Sequence, residues 1–250
     1  MQGSKAEPRW WSYLIAALAI YGIWHALSVL LNSIALPTPL TVLFAFIAGL
    51  KKDLISHLLI STFRIACGIT LAFSLAVPVG LLCHERSVDK FVAPLIYMLY
   101  PIPHIVLLPV IILLFGIGDL SKIIMIEIIV FFQILVTTRD ASRNISTNYF
   151  YPLLSMGARG REIYEHVIIP VCIPKILTAM RISVGTSIAV LFFVESFATT
   201  HGLGYLIMDA WSRANYPDLY AAIVMMALLG FGIYLMLDRI EKRVCRWVYI

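Results

Sequence analysis

The sequence predicts an all-α integral membrane protein with six transmembrane helices, both termini in the cytoplasm, and a short cytoplasmic helix between the fourth and fifth spans. Three observations carry this. Of 250 residues, 61% are hydrophobic and only 13% charged, with aromatic residues at 12%, whereas a soluble domain has about 45–50% and about 25%. Such an excess cannot be hidden inside one globule, which needs a charged, wettable skin. Apolar segments long enough to cross a bilayer recur along the chain, and the basic residues concentrate on alternate connections between them. In such a protein the net charge of +5 matters through the placement of its lysines and arginines, and no nucleic-acid partner is expected.

A spanning helix needs about 20 predominantly apolar residues. The first candidate, Trp11–Leu31, is too long for a signal-peptide core, and "LNSIALPTP" follows it without an A-x-A pattern, so it reads as an uncleaved anchor. The segment Thr41–Leu59 is amphipathic, with Lys51, Lys52, Asp53 and His57 interrupting apolar residues; it is expected at an interface or packed on the bundle. Residues 1–60 thus form an anchor plus amphipathic unit, 61–240 the core, and 241–250 a cytoplasmic tail.

The second span, Ser61–Leu82, carries Gly68, Ala72, Ala76 and Gly80 four apart, a groove into which another helix can pack closely. Arg64 lies one step earlier on that stripe. A charge in lipid is costly, so Arg64 faces protein or water; an ion pair, a carbonyl clamp and a contact to solute all fit. In the third span, Phe91–Phe115, Pro101, Pro103 and Pro109 of "YPIPHIVLLP" each remove a backbone donor, so the helix kinks or starts late. Irregular backbone at that depth must meet protein or a water-filled cavity, making this stretch, with His104, a candidate pathway lining.

The fourth span, Lys122–Thr138, holds Glu127 and Gln133; the fifth, Ile176–Thr199, holds Arg181, Ser187 and Glu195; the sixth is Leu219–Leu237. Glu127 fits a buried ion pair, an interhelical hydrogen bond, or a proton or cation relay. Arg181 lies near a span end and can snorkel. The pathway candidates are therefore Arg64, His104, Glu127, Ser187 and Glu195. With the N-terminus inside, inner connections hold 13 of the 19 lysines and arginines and outer ones 4, namely Lys51, Lys52, Lys122 and Arg213, with Arg64 and Arg181 within spans. The positive-inside rule then sets the orientation.

Catalysis by this chain is not expected. It has no G-x-x-x-x-G-K-[ST], no HExxH spacing and no nucleophile elbow. Cys67, Cys83, Cys172 and Cys245 form no metal-binding or CxxC spacing and read as free, mostly buried thiols.

The largest inner connection contains "SMGARGREIYEHVIIP", Ser155–Pro170. Gly157, a charged stretch, then Pro170 and Pro174 describe a short helix that leaves the bundle and returns sharply. Ile163, Val167 and Ile168 can hold its base while the charges stay in water. An ordinary loop helix and a knob that docks into a partner both fit this pattern.

The stretch resembles the cytoplasmic signature of binding-protein-dependent ABC importer permeases, EAA-x3-G-x9-I-x-L-P. Gly157 takes the glycine, and Val167, Ile169 and Pro170 the closing positions; Tyr151, Pro152 and Leu153 stand where the family has EAA. "STFRIACG", "YPIPHIVLLPVIILLFGIGDLSKI", "PVCIPKILTAMRISVGTSIAVLFFVES" and "GLGYLI" are similar to the nitrate/sulfonate/taurine/bicarbonate-type subgroup, in order over about Ser61 to Arg239. The resemblance implies a type I importer fold, a homodimer of this chain in membrane lipid, two cytoplasmic ATPase subunits that bind ATP and Mg, and an extracytoplasmic solute-binding protein. This chain would hold no cofactor. Met156, Gly157, Ala158, Arg159, Glu162 and Pro170 would form the coupling helix that contacts the ATPase. The implied function is the pathway for a small solute, with nitrate, sulfonate, taurine or bicarbonate favoured. An ATP-independent carrier using Glu127 is the alternative.

Overall fold

A computed structural model describes residues 10–197 and 199–248, and among them all regular structure is helical. Helix α1 (Trp10–Leu31) stands at the edge with most side chains exposed, as a lipid-facing helix allows. Its Trp24 indole donates to the Pro37 carbonyl (3.1 Å) and stacks near Tyr220. Helix α2 (Pro39–Leu50) is capped by the Thr38 hydroxyl, with proline in its first turn, where the missing N–H costs nothing.

The segment read as one amphipathic stretch divides. Its second half, from Leu54 onward, is the beginning of α3 (Leu54–Leu82), so His57 is buried in the bundle. Turning at Lys51–Asp53 leaves those charges at the helix end, and the remaining residues are apolar enough to continue the span.

Helix α3 packs on α6 (Asp119–Arg143), and both pack on α9 (Ile169–Glu195). The small-residue stripe makes this contact: Ala72 and Ala76 are fully buried, and a Cβ on Gly68 or Gly80 would lie 2.6 Å from Ile126 or Thr138. Only glycine lets the backbones approach this closely. Ser142 then donates across to the Gly80 carbonyl (2.8 Å).

Helix α4 (Arg86–Leu99) and the pair formed by the 3₁₀ turn His104–Leu107 with α5 (Leu108–Phe115) meet at a 79° bend over the proline segment. Five helices are long and apolar enough to cross a membrane, or six when the bent pair counts as one. The pattern ends with α10 (Leu203–Ser212) and α11 (Tyr216–Val244).

The charged connection departs from the expected separate helix. Helix α7 (Tyr151–Ser155) ends in a Schellman motif, with the Gly157 N–H on the Leu154 carbonyl and the Ala158 N–H on the Leu153 carbonyl, both 3.0 Å. Gly157 has φ +86°, a conformation costly for any residue with a Cβ. After the exposed turn at Met156–Arg159, a single turn α8 (Arg161–Ile163) and a π-turn (Tyr164–Ile168) lead without a break into α9. Pro170 therefore ends nothing. The widened turn before it accommodates a residue that cannot donate.

Candidate functional site

His57, Ser61 and Arg64 occupy one face of α3 at i, i+4 and i+7. They are 8%, 0% and 3% exposed. This face meets the segment after α9 and the N-terminus of α10, whose first N–H groups have no intrahelical acceptor. The Gly202 N–H donates to His57 Nδ1, the Leu203 N–H to Ser61 Oγ, and the Gly204 N–H to Glu195 Oε2, each at 2.9 Å. Three side chains from two helices cap one helix start. His57 Nδ1 also lies 3.1 Å from the Gly202 carbonyl oxygen, so both backbone polar groups of Gly202 face the imidazole. Both glycines are required by close approach. A Cβ on Gly202 would lie 2.5 Å from Glu195 Oε2, and one on Gly204 2.9 Å from the Phe192 carbonyl oxygen.

Arg64 joins this cap to α6. It donates to Glu195 Oε1 (2.7 Å) and to the His201 carbonyl (2.9 Å) through Nη1, and to Asp119 Oδ1 through Nε (2.8 Å) and Nη2 (2.6 Å). Ser61 shares its hydroxyl proton between the two Glu195 oxygens at 2.8 and 2.9 Å. Arg64 thus combines the ion pair and the carbonyl clamp. Two buried charges at this depth persist because every lone pair facing them is matched. The two acids differ: Glu195 is enclosed, whereas the Asp119 side chain is 54% exposed. Lys122, assigned by sequence to an outer connection, is instead 3% exposed and donates to the Ile117 (2.6 Å) and Gly118 (3.1 Å) carbonyls. Beside the network opens a cavity of about 360 Å³ lined by Arg64, Asp119, Gly118, Thr199, Thr200 and His201.

The other pathway candidates do not join this cluster. His104 stacks on Phe132 with ring centroids 4.8 Å apart. Ser187 is fully buried and donates to the Ser183 carbonyl one turn back (2.8 Å). Glu127 is half-buried on α6 and has no hydrogen-bond or ion-pair partner among the described residues. Asp119, Ser61 and His57 were missed as site residues. The i, i+4, i+7 spacing on α3 was the available signal, but nothing local said what that face would meet.

At the opposite end, Arg181 does not snorkel. It pairs with Asp238 (2.6 Å) and Glu241 (3.3 Å) of α11. Arg139 pairs with Asp89 of α4 (2.6 Å). The charged connection projects here: Met156 is 84% exposed, Gly157, Arg159 and Glu162 are exposed, and Val167 and Ile168 are buried. Ile163 packs with Ile168, Cys172 and Ala141, as the pattern predicted. The Glu162 carboxylate accepts the Arg159 backbone N–H (2.9 Å), so it fastens the turn.

A bundle with a bent proline-broken helix pair, a buried charge network beside a cavity, and one exposed charged connection defines a polytopic membrane protein of the transport class. The chain belongs to the family of binding-protein-dependent transport system inner membrane components, whose profile matches residues 67–246. It is 28% identical to a putative aliphatic sulfonates transport permease protein of Bacillus subtilis over 242 residues, covering 95% of this chain and 88% of the relative. It is also 28% identical to the taurine transport system permease protein of Escherichia coli, covering 90% and 85%. The fold is similar to that in inward-facing structures of the MetNI methionine ABC transporter, with a TM-score of 0.64 at 20% identity, covering 76% of this chain and 95% of the other.

Proposed function

We propose that this chain forms the translocation pathway of an ATP-driven importer and couples it to ATPase subunits in the cytoplasm. The membership that spans residues 67–246 carries this reading and favours it over an ATP-independent carrier. Two copies would enclose the pathway in the lipid bilayer. Two ATPases, holding ATP and Mg, would seat the turn at Met156–Arg159, and an extracytoplasmic protein would deliver the solute. The orientation follows the charges: six spans, counting the bent pair as one, put both termini and the Ser155–Pro170 connection inside.

Each residue then takes a part. Gly157 fixes the direction of the exposed turn, and Met156, Ala158 and Arg159 form its tip. Glu162 braces the turn, and Pro170 starts the helix that leads back through the bundle. Movement of α9 would reach Glu195 and, through the cap, α10. Arg64 and Glu195 hold the outer mouth and act as positioning residues; Asp119 and Glu127 would face the pathway. The solute class among relatives includes sulfonates and taurine, and a small solute of comparable size is expected here.

The test is isolation of the tagged chain from native membranes in mild detergent, followed by mass analysis. A companion with a Walker A motif in near one-to-one ratio is expected. A chain that comes out alone and transports without ATP would overturn the proposal.

A further inference from the structure

The exposed turn at Met156–Arg159 is carried on two short arms. Residues 147–155 lead out to it, and residues 161–168 lead back into α9. Their helices, of five and three residues, have no stability of their own. Among the described residues, no hydrogen bond joins one arm directly to the other. Their orientation is therefore set by what they pack on.

One side chain touches both arms. His84 lies in the turn between α3 and α4, which is closed by the His84 N–H on the Leu81 carbonyl (3.1 Å) and the Glu85 N–H on the Leu82 carbonyl (3.0 Å). Its ring stacks on Phe150 of the outgoing arm, with centroids 5.6 Å and planes 20° apart, and meets Tyr164 of the returning arm edge-on at 6.3 Å. Stacked and edge-to-face pairs are the favoured arrangements of such rings. His84 Nδ1 lies 2.9 Å from the Ser142 carbonyl, in the last turn of α6, where carbonyls have no intrahelical donor. A carbonyl only accepts, so Nδ1 carries the proton and caps α6 from outside the helix. The Ser142 hydroxyl donates in turn to the Gly80 carbonyl of α3 (2.8 Å). This half-buried imidazole thus joins both arms to the end of α6 and, through Ser142, to the end of α3.

We infer that His84 is a positioning residue for energy coupling: it locks the two arms into one rigid element seated on the ends of α3 and α6. Load on the turn then reaches α9 and is not absorbed by bending of the arms. This rests on the coupling reading above. The two contacts separate chemically. Phenylalanine at position 84 keeps the ring between Phe150 and Tyr164 but has no donor for Ser142, whereas asparagine keeps a donor and loses the ring.

The test uses the permease in nanodiscs with its co-purifying ATPase. ATP binding is titrated in the presence of a metal chelator, so that no turnover occurs, with and without the solute-binding protein as isolated from cells. Linked binding is reciprocal, so the factor by which the binding protein changes ATP affinity measures coupling and needs no knowledge of the solute. Coupling factors are typically about 5–150, and one hydrogen bond with one ring pair is worth about tenfold. His84→Ala should therefore bring the factor close to one, with the subunit ratio and the ATP affinity without binding protein unchanged. His84→Phe and His84→Asn, read below the melting range of each variant, should each recover part of it. A residue that serves stability alone would shift the melting temperature and leave the factor at its wild-type value; that result overturns the inference. Loss of the ATPase from the His84→Ala complex also overturns it, because His84 would then belong to the docking surface. If His84→Ala does not fold, a wild-type factor in both other variants overturns it equally. A factor of one in the wild-type complex, or failure to recover any ATPase, would instead overturn the coupling reading itself.

Discussion

Replacing Glu195 by glutamine keeps the volume and removes the charge, and the geometry around the carboxylate says why this should not be tolerated. Oε1 faces the Arg64 guanidinium and Oε2 faces the Gly204 N–H, with the Ser61 hydroxyl between them. Whichever way the amide is turned, its NH₂ points at a donor. One buried donor, either the Arg64 guanidinium or the Gly204 N–H, is orphaned, and in both cases Arg64 loses the negative charge of its enclosed partner. Removing one partner of a buried pair costs about 3–5 kcal/mol. At about 2–4 °C per kcal/mol for a chain near this size, the melting temperature should fall by about 6–20 °C. Thermal unfolding of the detergent-purified chain, read by a thiol-reactive dye, suits this protein, because Cys83, Cys172 and Cys245 are buried and free. Adding Arg64→Met should restore part of the loss, since the variant no longer buries an uncompensated cation. A Glu195→Gln protein melting within about 1 °C of wild type would refute the argument, as would a double variant that loses the sum of the two single effects.

Gly68→Ala and Gly80→Ala should each destabilise by about 1–3 kcal/mol through overpacking, whereas Gly185→Ala, with no neighbour within 4 Å, should be neutral or stabilising; the same dye assay ranks them. Arg181→Met should lower the melting temperature by loosening α11 from α9, and Arg181→Lys should recover only part of it, because lysine cannot hold Asp238 and Glu241 with one rigid fork. Gly157→Trp should insert and fold but fail to link ATP use to uptake, because the turn requires positive φ; normal ATP-driven uptake would remove Gly157 from the coupling element.

What could be read in advance depended on range. The α3–α6 contact was legible because Gly68, Ala72, Ala76 and Gly80 repeat at a helical period, which is local information. The bend at Pro101–Pro109 was legible because proline lacks a donor wherever it occurs. The exposed turn was legible in its ends and its buried base, but Pro170 misled: a π-turn, which no residue pattern announces, absorbs it. The polar network was only half legible. Arg64 and Glu195 each declared themselves as charges in apolar segments, yet their meeting spans 131 residues of chain, and Ser61 meets Leu203 across 142. Closing those distances is decided by the packing of α3, α6 and α9 together. Lys122 is a different case: its partners, the Ile117 and Gly118 carbonyls, lie only five and four residues back, and what the sequence did not announce is that packing buries the side chain against them.

The two ends of the bundle are unlike, and α9 connects them. At one end it is fed without a break from the exposed turn through α8 and the π-turn; at the other it delivers Glu195 to the α10 cap. Helix α9 also bonds to α11 at its middle and to α3 at its finish, through Arg181 and Glu195. A displacement of the turn is therefore expected to tilt α9 as a lever instead of bending it, and the cap converts that tilt into movement of α10. Weakening the cap should then impair coupling at a distance: Glu195→Gln, assayed below its melting range, should lower solute moved per ATP hydrolysed while leaving the ATPase attached. A variant that keeps full coupling despite a loosened cap would show that α10 moves independently of α9. The lever would then have to act through α3 and α6, whose glycine-tight contact would carry the motion in its place.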